Sequence, residues 1–271
     1  MNKPIGVLAI LMTITLMTVT SGPVHAQGSQ ADADLARQAQ NPLASLISVP
    51  VQDNISFGMG PNDRTQNVAN IQPIIPFNLG SVSLITRTIV PVITQPDLAS
   101  ATGSTTGVGD ILFTGWLSPA EAGTVVWGLG PVVSIPVGKE GLSTEKWGFG
   151  PSFVALMMPG NWVVGGLVNN IWSVGGDESL PDVNLMTLQY FVNYNFEGGL
   201  YLTSGPIITA NWEATDGNKW TVPFGGGVGK IFRIGSQPMN SNIQAFYNVV
   251  SPDDFGADWS LRLQLQAMFP R

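Results

Sequence analysis

From residue 53 onward the chain alternates apolar and polar side chains with a period of two. Trp259, Leu261, Leu263, Leu265, Ala267 and Phe269 alternate with Ser260, Arg262, Gln264, Gln266 and Met268. Met186, Leu188, Tyr190, Val192, Tyr194 and Phe196 alternate with Thr187, Gln189, Phe191, Asn193 and Asn195, and Ile243, Ala245, Tyr247 and Val249 with Asn242, Gln244, Phe246 and Asn248. Successive side chains of a strand point to opposite faces. Each of these segments therefore carries one apolar face and one face rich in neutral amides.

Twelve such segments, bounded by turn residues, run over 53–60, 67–78, 80–95, 107–118, 123–137, 146–158, 162–175, 184–196, 199–213, 218–234, 240–251 and 258–269. The connections after even segments are short, as at Leu79-Gly80, Pro159-Gly160 and Glu197-Gly198. Those after odd segments are mostly longer and acidic, as in Gln95 to Thr106 and Gly176 to Val183. An even count with alternating short turns and long loops is the pattern of an outer-membrane β-barrel. The expected fold is all-β, a transmembrane antiparallel up-and-down β-barrel of about 12 strands over 53–271, preceded by an N-terminal segment, 27–52.

The aromatic residues bear on this independently, because a lipid-embedded barrel places them in two girdles. Trp147, Trp220 and Trp259 open descending segments and Trp172 and Trp212 close ascending ones, which sets them at the external rim. Trp162 opens an ascending segment, and Phe196, Phe232 and Phe269 close descending ones, at the periplasmic rim. The competing all-β reading, a soluble sandwich, would bury its Trp residues centrally instead.

Composition sharpens the picture. Of 271 residues 44% are apolar and only 11% charged, with 32 Gly and 20 Pro, against about 25% charged in an ordinary soluble domain. Ile5 to Thr20 is a mostly apolar run behind Lys3, and Val24-His25-Ala26 offers small residues for cleavage. Residues 1–26 thus read as a signal peptide cleaved near Ala26, rather than a retained anchor. Its removal takes Lys3 from the 11 Lys and Arg, leaving ten against 18 Asp and Glu, and takes the only His; the chain has no Cys. A net charge of −8 disfavours nucleic acid as a partner. Without His or Cys, neither a Ser-His-Asp nor a Cys-His site can be assembled, nor a zinc site of the usual kind. No enzyme, cofactor or metal is expected.

The segments NPLASLISVPVQDNISFG, NVANIQPIIPF, LITRTIVPVI, VPFGGGVGKIFRIGSQPMN and the ending DWSLRLQLQAMFP resemble a bacterial outer-membrane family described as transporters. It is related to the MetA-pathway-of-phenol-degradation barrels, some of which carry the label neuromedin U. The likeness spans about Asn41 to Pro270. It implies residence in the outer membrane of a Gram-negative cell and uptake of small molecules, hydrophobic ones among them. The terminal strand ending at Phe269 is the expected signal to the barrel assembly machinery, although Pro270 and Arg271 follow it.

With apolar residues facing lipid, the inward set comprises Gln72, Arg87, Asp110, Thr114, Gln189, Asn193, Gln244, Asn248, Arg262, Gln264 and Gln266. A lumen lined mainly by amides imposes little charge preference. Arg87 and Asp110 fall on neighbouring strands and could pair across the wall, as an internal brace or as a selectivity element. Residues 27–51, with Ala31, Leu35 and Ala39 at helical spacing, read either as a plug inside the lumen or as a periplasmic arm. The Gly130-Pro131, Gly150-Pro151 and Gly205-Pro206 pairs suggest bulges, since proline removes a ladder donor. Strict alternation turns Lys230 toward lipid, unless a bulge among Gly225 to Gly229 rotates it inward. The GGGVGK run is no P-loop, for Phe224 and Ile231 stand where Gly and Ser or Thr belong. The functional expectation is an outer-membrane channel or transporter, with a non-conducting structural or docking barrel as the alternative.

Overall fold

The computed structural model describes residues 26–121 and 123–270, so the expected signal peptide lies outside the described residues except for Ala26. A helix, α1 (Ala26–Ala39), precedes twelve strands. These are β1 (Ile47–Met59), β2 (Arg64–Ile71, continued by Ile74–Asn78), β3 (Val82–Pro96), β4 (Ser104–Val108 and Ile111–Pro119), β5 (Val125–Ile135) and β6 (Lys146–Met157). Then follow β7 (Trp162–Gly176), β8 (Asn184–Asn195), β9 (Leu200–Ser204 and Ile207–Asn211), β10 (Trp220–Ile234), β11 (Gln237–Val250) and β12 (Trp259–Phe269). Each strand pairs antiparallel with the next, and β12 returns to β1. The sheet is closed, a 12-strand antiparallel barrel.

The first strand begins at Ile47 rather than at 53. β12 presents an edge from Trp259 to Phe269, and β1 covers all of it, from Phe57 against Trp259 to Ile47 against Phe269. Alternation also extends backward through this stretch: Ser48, Pro50 and Gln52 are buried inward while Val51 is exposed outward.

The outer wall is apolar, with Phe113, Leu129, Phe149, Phe153, Leu202 and Ile243 among its exposed residues. Trp147, Trp172, Trp212, Trp220 and Trp259 surround the long-loop end, and Trp127, Trp162, Phe196 and Phe269 the short-turn end. Neighbours stack within each girdle: Phe57 on Trp259 with centroids 4.1 Å apart, and Trp162, Tyr194 and Phe196 edge to face.

The Gly-Pro pairs are not bulges. Pro131 pairs with Pro151 and Gly130 with Ser152 in an unshifted ladder between β5 and β6. β9 breaks at Gly205-Pro206, yet both halves keep one register against β8 and against β10. At Gly130 and Gly150 the absent side chain lets neighbouring backbones approach, with no residue inserted. A Cβ on Gly130 would overlap the Gly115 carbonyl, and one on Gly150 the Asn170 carbonyl. True register shifts fall elsewhere, between Ser56 and Met59, Trp147 and Gly148, and Val222 and Pro223. A further one-residue offset separates the halves of β4 against β3, at Gly109-Asp110.

Lys230 stays on the outer wall, because β10 pairs regularly with β11 from Pro223 to Ile234. Its ammonium reaches the short-turn end and donates to the Gly198 carbonyl at 2.7 Å, the expected behaviour of a lysine near an interface. Asp53, also on the outer face of the alternation, accepts from Asn67 at 2.7 Å.

Gly150→Ala is expected to cost about 1–3 kcal/mol by overpacking the β6–β7 contact. Gly175→Ala, with open space around the new methyl, should be nearly neutral. Urea titration of both variants in detergent, following heat-modifiable gel mobility, checks the contrast.

Candidate functional site: the barrel interior

The interior has two unlike sectors. On the β3–β7 side the inward residues are mostly apolar: Ile85, Trp116, Val154, Leu156, Val163 and Leu167 form one cluster, completed by Leu43 from the N-terminal segment. An amide-lined lumen all round was expected from the sequence, and this half departs from it. In β6 and β7 small and apolar residues occupy both faces, so alternation does not mark the inward one. Trp116, fully buried, is the residue that sequence reasoning missed. Its Nε1–H donates to Ser152 Oγ at 2.9 Å, and the Arg87 guanidinium lies 5.0 Å from its ring centroid.

The other sector, from β8 round to β1, is polar and heavily cross-linked. Tyr201 Oη donates to Asn240 Oδ1 at 2.7 Å, and Asn240 Nδ2 to Gln266 Oε1 at 2.9 Å. The break in β9 is the organising feature. Pro206 has no N–H to offer, and the Gly205 peptide groups on either side turn inward instead of joining the ladder. Gly205 N–H donates to Gln244 Oε1 at 3.1 Å, while its carbonyl accepts from Gln189 Nε2 at 3.3 Å and from Arg262 Nη1 at 2.6 Å. Arg262 Nε further donates to Asn54 Oδ1 at 3.0 Å. Buried backbone groups require partners, and these three side chains supply them.

Among the described residues, adjoining chambers of about 170 Å³ and about 110 Å³ lie inside the barrel. Gln72 and Arg87 border the larger, Asn193, Gln244 and Arg262 the smaller, and Gln189 and Gln264 both. Asn248 sits nearer the loop end, donating to the Ala257 carbonyl at 2.7 Å. Asp110 lies at the β4 offset and accepts from Gly138 N–H, Ser143 Oγ, Thr144 N–H and Thr144 Oγ1 at 2.6–3.2 Å. The Arg87–Asp110 pair does not form. Thr114, not Asp110, is the cross-strand partner of Arg87, and the offset hands Asp110 to the loop between β5 and β6.

Residues 32–46 pack against the short-turn end. Arg37 Nη2 donates to the Met158 carbonyl at 2.7 Å, the amides of Gln40 and Asn195 exchange two hydrogen bonds at 2.8 and 3.0 Å, and Asp32 lies 3.6 Å from Arg233. Leu35, Ala36 and Leu46 pack with Ile231 and Met268. At the opposite end, Lys146 donates to Asp182 at 2.7 Å and, with Ser173, holds that exposed carboxyl below the usual carboxylate range. Among the described residues no group of His, Cys, Asp and Glu is arranged to hold a metal.

A closed, antiparallel barrel with an apolar outer wall, aromatic girdles and a polar-bonded interior defines a transmembrane β-barrel. Neither a protein-family model nor a curated protein sequence matches the chain. Solved structures do. The COG4313 outer membrane channel from Pseudomonas putida F1 superposes with a TM-score of 0.64 at 19% identity, over 83% of this chain and 94% of that one. Outer membrane phospholipase A from Escherichia coli matches with a TM-score of 0.45 at 13% identity, over 91% and 99%. The likeness to the channel is one of fold.

Asp110→Ala is expected to free the loop between β5 and β6. Amide hydrogen exchange at Gly138 and Thr144 should quicken markedly while exchange within β10 and β11 stays unchanged.

Proposed function

We propose that this protein is an outer-membrane channel for small molecules, held shut at its periplasmic end by residues 32–46. The observation that carries the reading is the placing of Leu43 inside the barrel, where it completes the apolar cluster around Trp116, below a polar chamber that no strand of the wall fills. The segment is joined to the wall by few polar contacts, those of Asp32, Arg37 and Gln40. Its release would open the chamber to the periplasm without unpairing any strand. The plug, of the two roles open to the N-terminal segment, is therefore the one proposed. The resemblance to the MetA-pathway barrels supports the same reading, and so does the fold shared with an outer membrane channel. Residues 27–271 contain no His or Cys, which supports a non-enzymatic role, and the strand ending at Phe269 serves on this reading as the signal for the barrel assembly machinery.

The non-conducting alternative rests on the tightness of the same interior: the chambers amount to little more than the volume of a small solute. The two readings separate in planar bilayers. A variant lacking residues 27–45, which leaves β1 whole, is expected to raise single-channel conductance several-fold over the full mature chain. Leu43→Ser, a milder loosening of the same contact, should give more frequent openings of the same size. No conductance from either variant would leave the structural barrel as the better account.

A further inference from the structure

Two guanidinium groups lie inside the barrel, Arg87 on β3 and Arg262 on β12, and no Asp or Glu borders either chamber. The ion pairs among the described residues are Lys146–Asp182, Lys219–Asp216 and Arg233–Asp32, and none reaches them. Arginine keeps its proton in proteins, and an unpaired charge withdrawn from water is costly. An ionisable side chain at membrane depth therefore marks a functional site whose partner should be sought.

The two arginines are not equivalent. Arg262 is occupied: it donates to Asn54 and to the Gly205 carbonyl and lies over the Phe246 ring, 5.0 Å from its centroid. Arg87 has the Trp116 ring on one side and a buried Nε with no acceptor. Its cross-strand neighbour Thr114 likewise carries a buried, unpartnered hydroxyl. The Arg87 side chain borders the larger chamber together with Ile74, Leu167 and Phe191.

We propose that this chamber binds a small organic monoanion, its carboxylate paired with the Arg87 guanidinium and its apolar body resting against Ile74, Leu167 and Phe191. The inference deepens the channel reading and rests on it for its biological sense. A bidentate carboxylate is the complement of a guanidinium that no carboxylate of the described residues pairs, whereas a neutral solute would leave the charge unpaired and a cation would be repelled. A dianion would bring a second charge for which no free cation remains, Arg262 being engaged. Size sets a further limit: an apolar cavity of about 150 Å³ admits benzene, so a chamber of about 170 Å³ accepts one ring or a short chain with its carboxylate. Gln72 and Gln264, which also border the chamber, add neutral hydrogen-bonding groups that position the ligand without competing for its charge.

The test is equilibrium binding of sodium benzoate and of neutral, isosteric benzamide to the full mature chain refolded in detergent, read by calorimetry. Benzoate is expected to bind saturably and benzamide at least ~10-fold more weakly, a difference of about 1.4 kcal/mol. Arg87→Gln should abolish that discrimination and Arg87→Lys keep most of it. Leu167→Phe, which narrows the chamber and leaves the charge in place, should weaken benzoate binding as well, and carries the test if Arg87→Gln does not fold. Equal binding of the two probes, discrimination that survives Arg87→Gln, benzoate binding that is indifferent to Leu167→Phe, or no benzoate binding at all would each overturn the proposal. Because binding is read without current, the two readings fail separately. A barrel that discriminates benzoate yet never conducts refutes the channel and retains the site; one that conducts yet treats the probes alike does the reverse.

Discussion

In hydrocarbon the edge strand of a sheet has no water to satisfy its N–H and C=O groups, and β1 and β12 answer this by pairing with each other from Ile47–Phe269 to Phe57–Trp259. That closure dictates most of what else is seen. It draws β1 back to Ile47 to cover the whole of β12. It gives every strand an inside and an outside, so alternation becomes a division between lipid and lumen. It also forbids mid-wall repair by neighbouring elements, and the departures from regularity must be met locally. Lys230 reaches the Gly198 carbonyl at the wall's end, and Gly130 and Gly150 let strands approach closely where Pro131 and Pro151 weaken the ladder.

Inside, the same constraint explains why the polar side chains are not simply a solute path. Pro206 leaves a gap in the β9 ladder, and Gln189, Gln244 and Arg262 complete the Gly205 peptide groups there. Three of the inward residues expected from the sequence are thus committed to holding the wall. What remains uncommitted is asymmetric: an apolar cluster on the β3–β7 side filled by Leu43, and a chamber whose free charge is that of Arg87. A small barrel achieves a tight interior by recruiting the chain that precedes its first strand. That segment meets the wall through few polar contacts, those of Asp32, Arg37 and Gln40, in contrast to the long strand ladders of the wall.

Period-two alternation identified the strands because lipid and lumen impose opposite chemistry on successive residues; β8, β11 and β12 read cleanly for that reason. It was less informative in β6, where Gly148, Gly150, Val154 and Leu156 face inward. The girdle Trp residues were legible from their places at strand ends, while Trp116 was not, since nothing local distinguishes an inward Trp from an outward one. The bulge was placed wrongly at the Gly-Pro pairs. Proline signals a missing donor, but a missing donor leaves a gap in an unshifted ladder as readily as it accompanies an inserted residue.

The class of fold, the number of strands, their direction and the alternation of short turns with long loops are legible in the residue pattern alone, because each depends on neighbours within a dozen residues. Which groups meet across the lumen is fixed by the closed barrel. Arg87 faces Trp116 and not Asp110 because its cross-strand partner is Thr114, four residues farther along β4 than Asp110. Arg262 meets Gly205, 57 residues away along the chain, because curvature and stagger bring their strands to one depth. Those two placements separate a bonded arginine from a free one, and they follow from the closed ring rather than from any local pattern.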